Sequence, residues 1–167
     1  MKTIIIVKGL LLIPLSLLFI NNGNCQDFST FKKSLVESRI GNTNYYISLP
    51  YGYKIRESHE YGANTAYFFQ PPDSTKNPLP NGGIYIGDYP KVIPPTNDSC
   101  IVLRRDREIL HRHVIWLTFK CDDYIIMQSV FSDNEKSELP KLNPFATVKK
   151  NDDIEKIFYL FSTMRKK

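Results

Sequence analysis

The stretch ILHRHVIWLTFKCDDYIIMQSVF (Ile109–Phe131) decides the architecture, because it reads as one long hairpin rich in β-branched and aromatic residues. Ile109–Cys121 reads as the longest strand of the chain, Asp122-Asp123 as a turn, and Tyr124–Phe131 as the hairpin partner. Pairing two such strands brings their aromatic and branched side chains onto common faces. Just upstream, Cys100-Ile101-Val102-Leu103 reads as another strand, and the charged run Arg104–Glu108 as the turn between the two.

Working outward from that hairpin, Thr65–Phe69 and Ile84–Ile86 read as strands. Between them lies a loop, residues 71–83, whose prolines supply no backbone donor. Residues 57–64 are polar, contain Gly62 and Asn64, and read as a turn. Tyr45–Leu49 is a strand stopped by Pro50 and Gly52, followed by a short extended piece, Tyr53–Ile55. Residues 27–38 have Phe28, Phe31 and Leu35 at roughly helical spacing and are expected to form a short amphipathic helix. On the other side of the hairpin, residues 132–150 are polar, contain Pro140 and Pro144, and are assigned no element. The last segment is a helix with one apolar stripe, Ile154, Ile157, Phe158, Phe161 and Met164. Asn151 or Asp152 would cap it, Asp152 and Glu155 resemble a capping box, and Arg165, Lys166 and Lys167 would complement its dipole. Strands bracketed by helices give the α+β class, a central, mainly antiparallel sheet flanked by helices.

The N-terminus carries a different signal. Lys2 and Lys8 flank apolar residues that continue to Ile20, and a small polar exit, Asn21–Cys25, follows. This is the pattern of a secretory signal peptide over residues 1–25, with Gln26 opening a single domain, 26–167. Pro14 and the shortness of the run after Lys8 argue against a permanent span. Lipidation of Cys25 is the competing reading, although the preceding Asn22-Gly23-Asn24 departs from the usual bacterial lipoprotein pattern. Of the formal charge of +5, Lys2 and Lys8 carry two, so the remainder carries only +3, scattered along the chain. That is too mild to argue for a nucleic-acid partner, whose binding face would cluster the basic residues. In an exported chain Cys100 and Cys121 most simply form one disulfide, closing a loop of about twenty residues that contributes roughly 3 kcal/mol.

Three segments carry a family resemblance. YYISLPYGYKI (Tyr45–Ile55) resembles the opening strand and turn of PsbP-like and Mog-type domains. GGIYIGDYP (Gly82–Pro90) and IEKIFYLFSTMRK (Ile154–Lys166) are similar to stretches of small exported bacterial proteins of that kind. The resemblance implies an α/β/α sandwich around an antiparallel sheet. It also implies a binding or assembly module, with no catalytic motif to transfer.

The chemistry-bearing residues are few. His111 and His113, two apart in the expected strand, would share a face and could begin a metal site, with Asp106 or Glu108 as further ligands. The competing reading is that they mark where an apolar face carrying Ile115, Leu117 and Phe119 reaches solvent. There is no nucleophile elbow and no phosphate-binding glycine loop. Tyr51, Tyr61 and Tyr89 flank turns and are candidate partner contacts, as are Arg104 and Arg105 in the charged run. The expectation is a non-catalytic, cofactor-free extracytoplasmic module that binds a protein partner. One specific form is an immunity protein neutralising an exported antibacterial toxin. The alternatives are a metal-dependent hydrolase built on His111 and His113, and a lipid-anchored envelope subunit.

Overall fold

The computed structural model describes residues 23–59, 64–73, 81–88, 90, 92–95, 100–134 and 139–167. In chain order the elements are α1 (Gly23–Lys33), β1 (Leu35–Arg39), β2 (Tyr45–Pro50), β3 (Lys54–His59), β4 (Thr65–Gln70), β5 (Gly82–Gly87) and β6 (Ile101–Ile109). There follow β7 (Arg112–Lys120), β8 (Ile125–Gln128), β9 (Phe131–Ser132), β10 (Lys141–Val148), α2 (Asn151–Ser162) and β11 (Arg165–Lys166). A large sheet runs in the order β3-β4-β5-β10-β8-β7-β6, with β9 beside β10, and a small sheet runs β1-β2-β11. Every pairing is antiparallel.

Helix α2 fills the space against the inner face of the large sheet. Its stripe Ile154, Ile157, Phe158 and Phe161 is buried, with Met164 just beyond. Phe158 and Phe161 meet the fully buried Trp116 of β7 at centroid distances of 5.4 and 5.3 Å, and Phe161 reaches Phe69 of β4 at 5.9 Å. Each aromatic pair contributes about 0.5–1.5 kcal/mol beyond the area it buries. The small sheet closes the same core with Tyr45, Ile47 and Leu49 of β2. Thr163, just past α2, accepts the Ser48 amide at 2.9 Å and so fastens the helix end to β2.

Several sequence expectations change. The first helix ends at Lys33, and residues 35–39 are a strand pairing with β2. Pairing along its whole length with β2, from Leu35 opposite Pro50 to Arg39 opposite Tyr46, overrides the weak helical spacing. Arg104–Glu108 is not a turn but the body of β6, and the reversal falls on Leu110 and His111, both at positive φ (53° and 61°), in a two-residue hairpin loop. Residues 57–59 continue β3 in register with β4.

Residues 132–150 contain β10, which lies in the interior of the large sheet despite Pro144. Helix α2 starts after Lys150, which makes no side-chain cap. Arg165 and Lys166 leave the helix to pair with Tyr46 and Tyr45 of β2. An antiparallel sheet with two helices is observed, but not the α/β/α layering. Helix α1 packs on α2 through Phe28 and Tyr159, and no described helix covers the outer face of the large sheet. None of the described helices is long and apolar enough to cross a membrane.

Candidate binding surface

The outer face of the large sheet ends in β6, which is hydrogen-bonded to β7 on one side and has no strand on the other among the described residues. Apart from the buried Ile109, its residues divide into an apolar and a charged part. Ile101, Val102 and Leu103 are 61%, 53% and 38% exposed, and Ile115 of β7 is 59% exposed. Three successive apolar residues on an open edge are what native sheets usually avoid. The charged part, Arg104–Glu108, supplies the side chains that ordinarily protect such an edge.

Side-chain alternation sorts those charges. Arg104 pairs in register with Leu117, is exposed and lies on the outer face. Arg105 and Arg107 lie on the inner face, where both donate to Glu155 of α2 at 3.1 Å. Their guanidinium carbons sit 5.9 and 4.5 Å from the centre of the Phe158 ring. Arg105 therefore fastens the edge strand to the helix, and of the two expected arginine contacts only Arg104 lies on the outer face.

The Cys100–Cys121 disulfide joins the residue before β6 to the residue after β7, with Cα atoms 4.3 Å apart. It clamps the apolar end of the edge strand, the end farthest from the hairpin turn. A disulfide here is compatible with an oxidising compartment.

The two histidines do not form the shared face expected of them, because His111 stands in the turn. His111 faces Glu108 at 3.4 Å, and His113 on the outer face meets Asp106 at 3.1 Å. Among the described residues no group of three His, Cys, Asp or Glu side chains could hold a metal ion. Ile115 and Leu117 do follow His113 on its face, but the buried face of β7 is the opposite one, with Val114, Trp116 and Thr118. Tyr51 is exposed in the β2–β3 turn, where its amide donates to the Ser34 carbonyl at 2.9 Å. Tyr61 and Tyr89 lie outside the described residues.

Sequence reasoning missed Ile101, Val102, Leu103 and Ile115 as surface residues. The available signal was the uninterrupted Ile-Val-Leu triplet, since a strand with one buried face alternates and this one does not.

Two acidic groups elsewhere are tied to the C-terminal strand. Asp133 accepts from Tyr45 Oη at 2.6 Å and from Lys166 Nζ at 2.8 Å. Burial pushes its carboxyl up, but the Lys166 and Tyr45 hydrogen bonds outweigh that and hold it below the usual carboxylate range. The Tyr45 hydroxyl is pushed far above its ordinary value by burial and by Asp133. Glu37 is held low by hydrogen bonds from Arg165 and Lys167.

No known protein family, curated protein or solved structure matches this chain.

Proposed function

We propose that the chain is a non-catalytic extracytoplasmic binding module that takes an extended segment of a protein partner along β6. The observation carrying this reading is the Ile101-Val102-Leu103 triplet, exposed on an open edge strand and clamped beside a disulfide. An added strand gains affinity from main-chain hydrogen bonds along the edge and specificity from alternate side chains. Its side chains would cover Val102 and Ile115 on the outer face and Leu103 on the inner one. An acidic residue opposite Arg104 would complete the match. If the partner is an exported toxin, the module acts as its immunity protein by occupying a segment the toxin needs. The disulfide holds the edge in its binding conformation before contact, which lowers the ordering cost of association.

The test is site-specific photo-crosslinking in the host cell, with a photoreactive residue in place of Ile101 and, separately, of Tyr51. The expected result is a discrete protein adduct at position 101 that Val102→Lys abolishes, with none at position 51. No adduct at 101, or an equal adduct at 51, defeats the proposal, because exposure alone would then account for the contact.

A further inference from the structure

At the opposite end of the same outer face, the sheet forms a groove of about 650 Å³ over β3, β4, β5 and β10. Its floor is a cross-strand row in which Arg56 pairs with Phe68, Phe68 with Gly83, and Gly83 with Phe145. A Cβ at Gly83 would lie 2.3 Å from the Tyr67 carbonyl oxygen and 2.9 Å from Phe145 Cζ. Only glycine therefore lets the two rings approach across the strand between them. They meet edge to face, with centroids 5.7 Å apart, and Phe68 remains partly exposed.

Around these rings stand Arg56, Ser58, Gln70, Asp73, Asn81 and Thr147. None of these six side chains makes a hydrogen bond or ion pair with another described residue. An aromatic pair over glycine is explained by packing alone. The polar side chains that line the groove add to this, because Arg56, Gln70, Asp73, Asn81 and Thr147 are exposed and hold their hydrogen-bonding groups open to a ligand.

We infer that this groove binds a neutral carbohydrate. The volume lies within the ordinary range of small-ligand sites. Among the described lining residues there is one cation and one carboxylate, so an anionic ligand gains from Arg56 and loses to Asp73. A wholly apolar ligand would strip water from six polar groups and return nothing. A sugar meets both demands. Its C–H face lies on an aromatic ring, and its hydroxyls, each a donor and an acceptor, pair with amide, hydroxyl, guanidinium and carboxylate groups alike. The groove and the β6 edge lie at opposite ends of the strand order, so the sugar site does not depend on the partner proposed for β6.

Amide NMR titration of the full chain tests this. The probes are three neutral oligosaccharides, chitotetraose, cellotetraose and maltotetraose, alongside inorganic phosphate and N-acetylphenylalanine. At least one sugar should give saturable shifts at Phe68, Gly82, Gly83 and Phe145. Phe68→Ala and Gln70→Ala, both at exposed positions, should each weaken that binding at least about fivefold, and Val102→Lys should leave it unchanged. Affinity should also hold between about 50 and about 500 mM salt, since no net charge is neutralised. Silence with all three sugars overturns the inference. So does saturable binding of either anionic probe that is lost in Arg56→Ala, which would make the groove an anion site.

Discussion

Pro144 lies within a paired strand, where its missing amide should leave a carbonyl unmatched. Pairing of β10 with β8 and then with β9 keeps one register across the gap, so the two short strands are one strand interrupted at the proline. Ser129 donates its amide to the Pro144 carbonyl at 3.1 Å, and the reciprocal bond cannot form. The side chain of Asn143 supplies it instead, donating from Nδ2 to the Ser129 carbonyl at 2.6 Å in a buried setting. This local substitution is why a polar, proline-containing segment forms an interior strand, and why it was illegible beforehand. Neither residue favours strands, and only their adjacency opposite Ser129 makes the arrangement work. Asn143→Ala should cost about 1–3 kcal/mol in urea unfolding, because the Ser129 carbonyl is then buried without a donor. Adding Pro144→Ala restores a backbone donor and should recover part of that loss. If the double variant is no more stable than Asn143→Ala alone, the account is wrong.

Among the elements, the hairpin of β6 and β7 was legible as a hairpin but not in its turn. Charged residues from Arg104 to Glu108 suggested a loop because a strand with one buried face alternates, whereas an edge strand can carry polar residues on both faces. Leu110-His111 gave no turn signal, since positive φ at both positions ordinarily calls for Asn or Gly. The Cys100–Cys121 pairing was readable from cysteine count and compartment, but its placement at the free end of an edge strand was not. That placement yields a prediction about order as well as stability. Replacing both cysteines with serine should lower stability by about 3 kcal/mol. The loosening should be local first, because a strand paired on one side opens below the global free energy. Hydrogen exchange should therefore quicken at Ile101–Leu103 while Trp116 stays protected under native conditions. Equal acceleration at both positions would assign the disulfide a global role only.

Over the whole molecule, two sheets share one core, and their mutual arrangement rests on α2 and on the last three residues. The closing helix and its apolar stripe were legible because a 3.6-residue period survives in any context. The fate of Arg165–Lys167 was not, since cations beyond a helix end fit the dipole as well as they fit a strand, and only the position of β2 decides. Paired to β2, this segment puts Lys166 beside Asp133, whose side chain is only 5% exposed. The carboxyl of Asp133 titrates below its usual range in the folded protein, so it contributes stability above about pH 4 and loses it as the pH falls through the folded value. Lys166→Ala removes the strongest group that lowers it and leaves only the Tyr45 hydroxyl and the Arg112 charge against burial, so its titration rises. Two outcomes follow, both measured by circular dichroism during denaturation at stepped pH. At neutral pH Lys166→Ala should be less stable by about 1–3 kcal/mol, and its acid unfolding should begin at higher pH than in the parent chain. Asp133→Asn keeps a hydrogen-bond acceptor for Tyr45 and removes the titrating group, so its stability should fall less steeply between pH 5 and pH 2. Acid profiles of both variants that superpose on the parent would show that the C-terminal strand holds the small sheet through its backbone pairs alone.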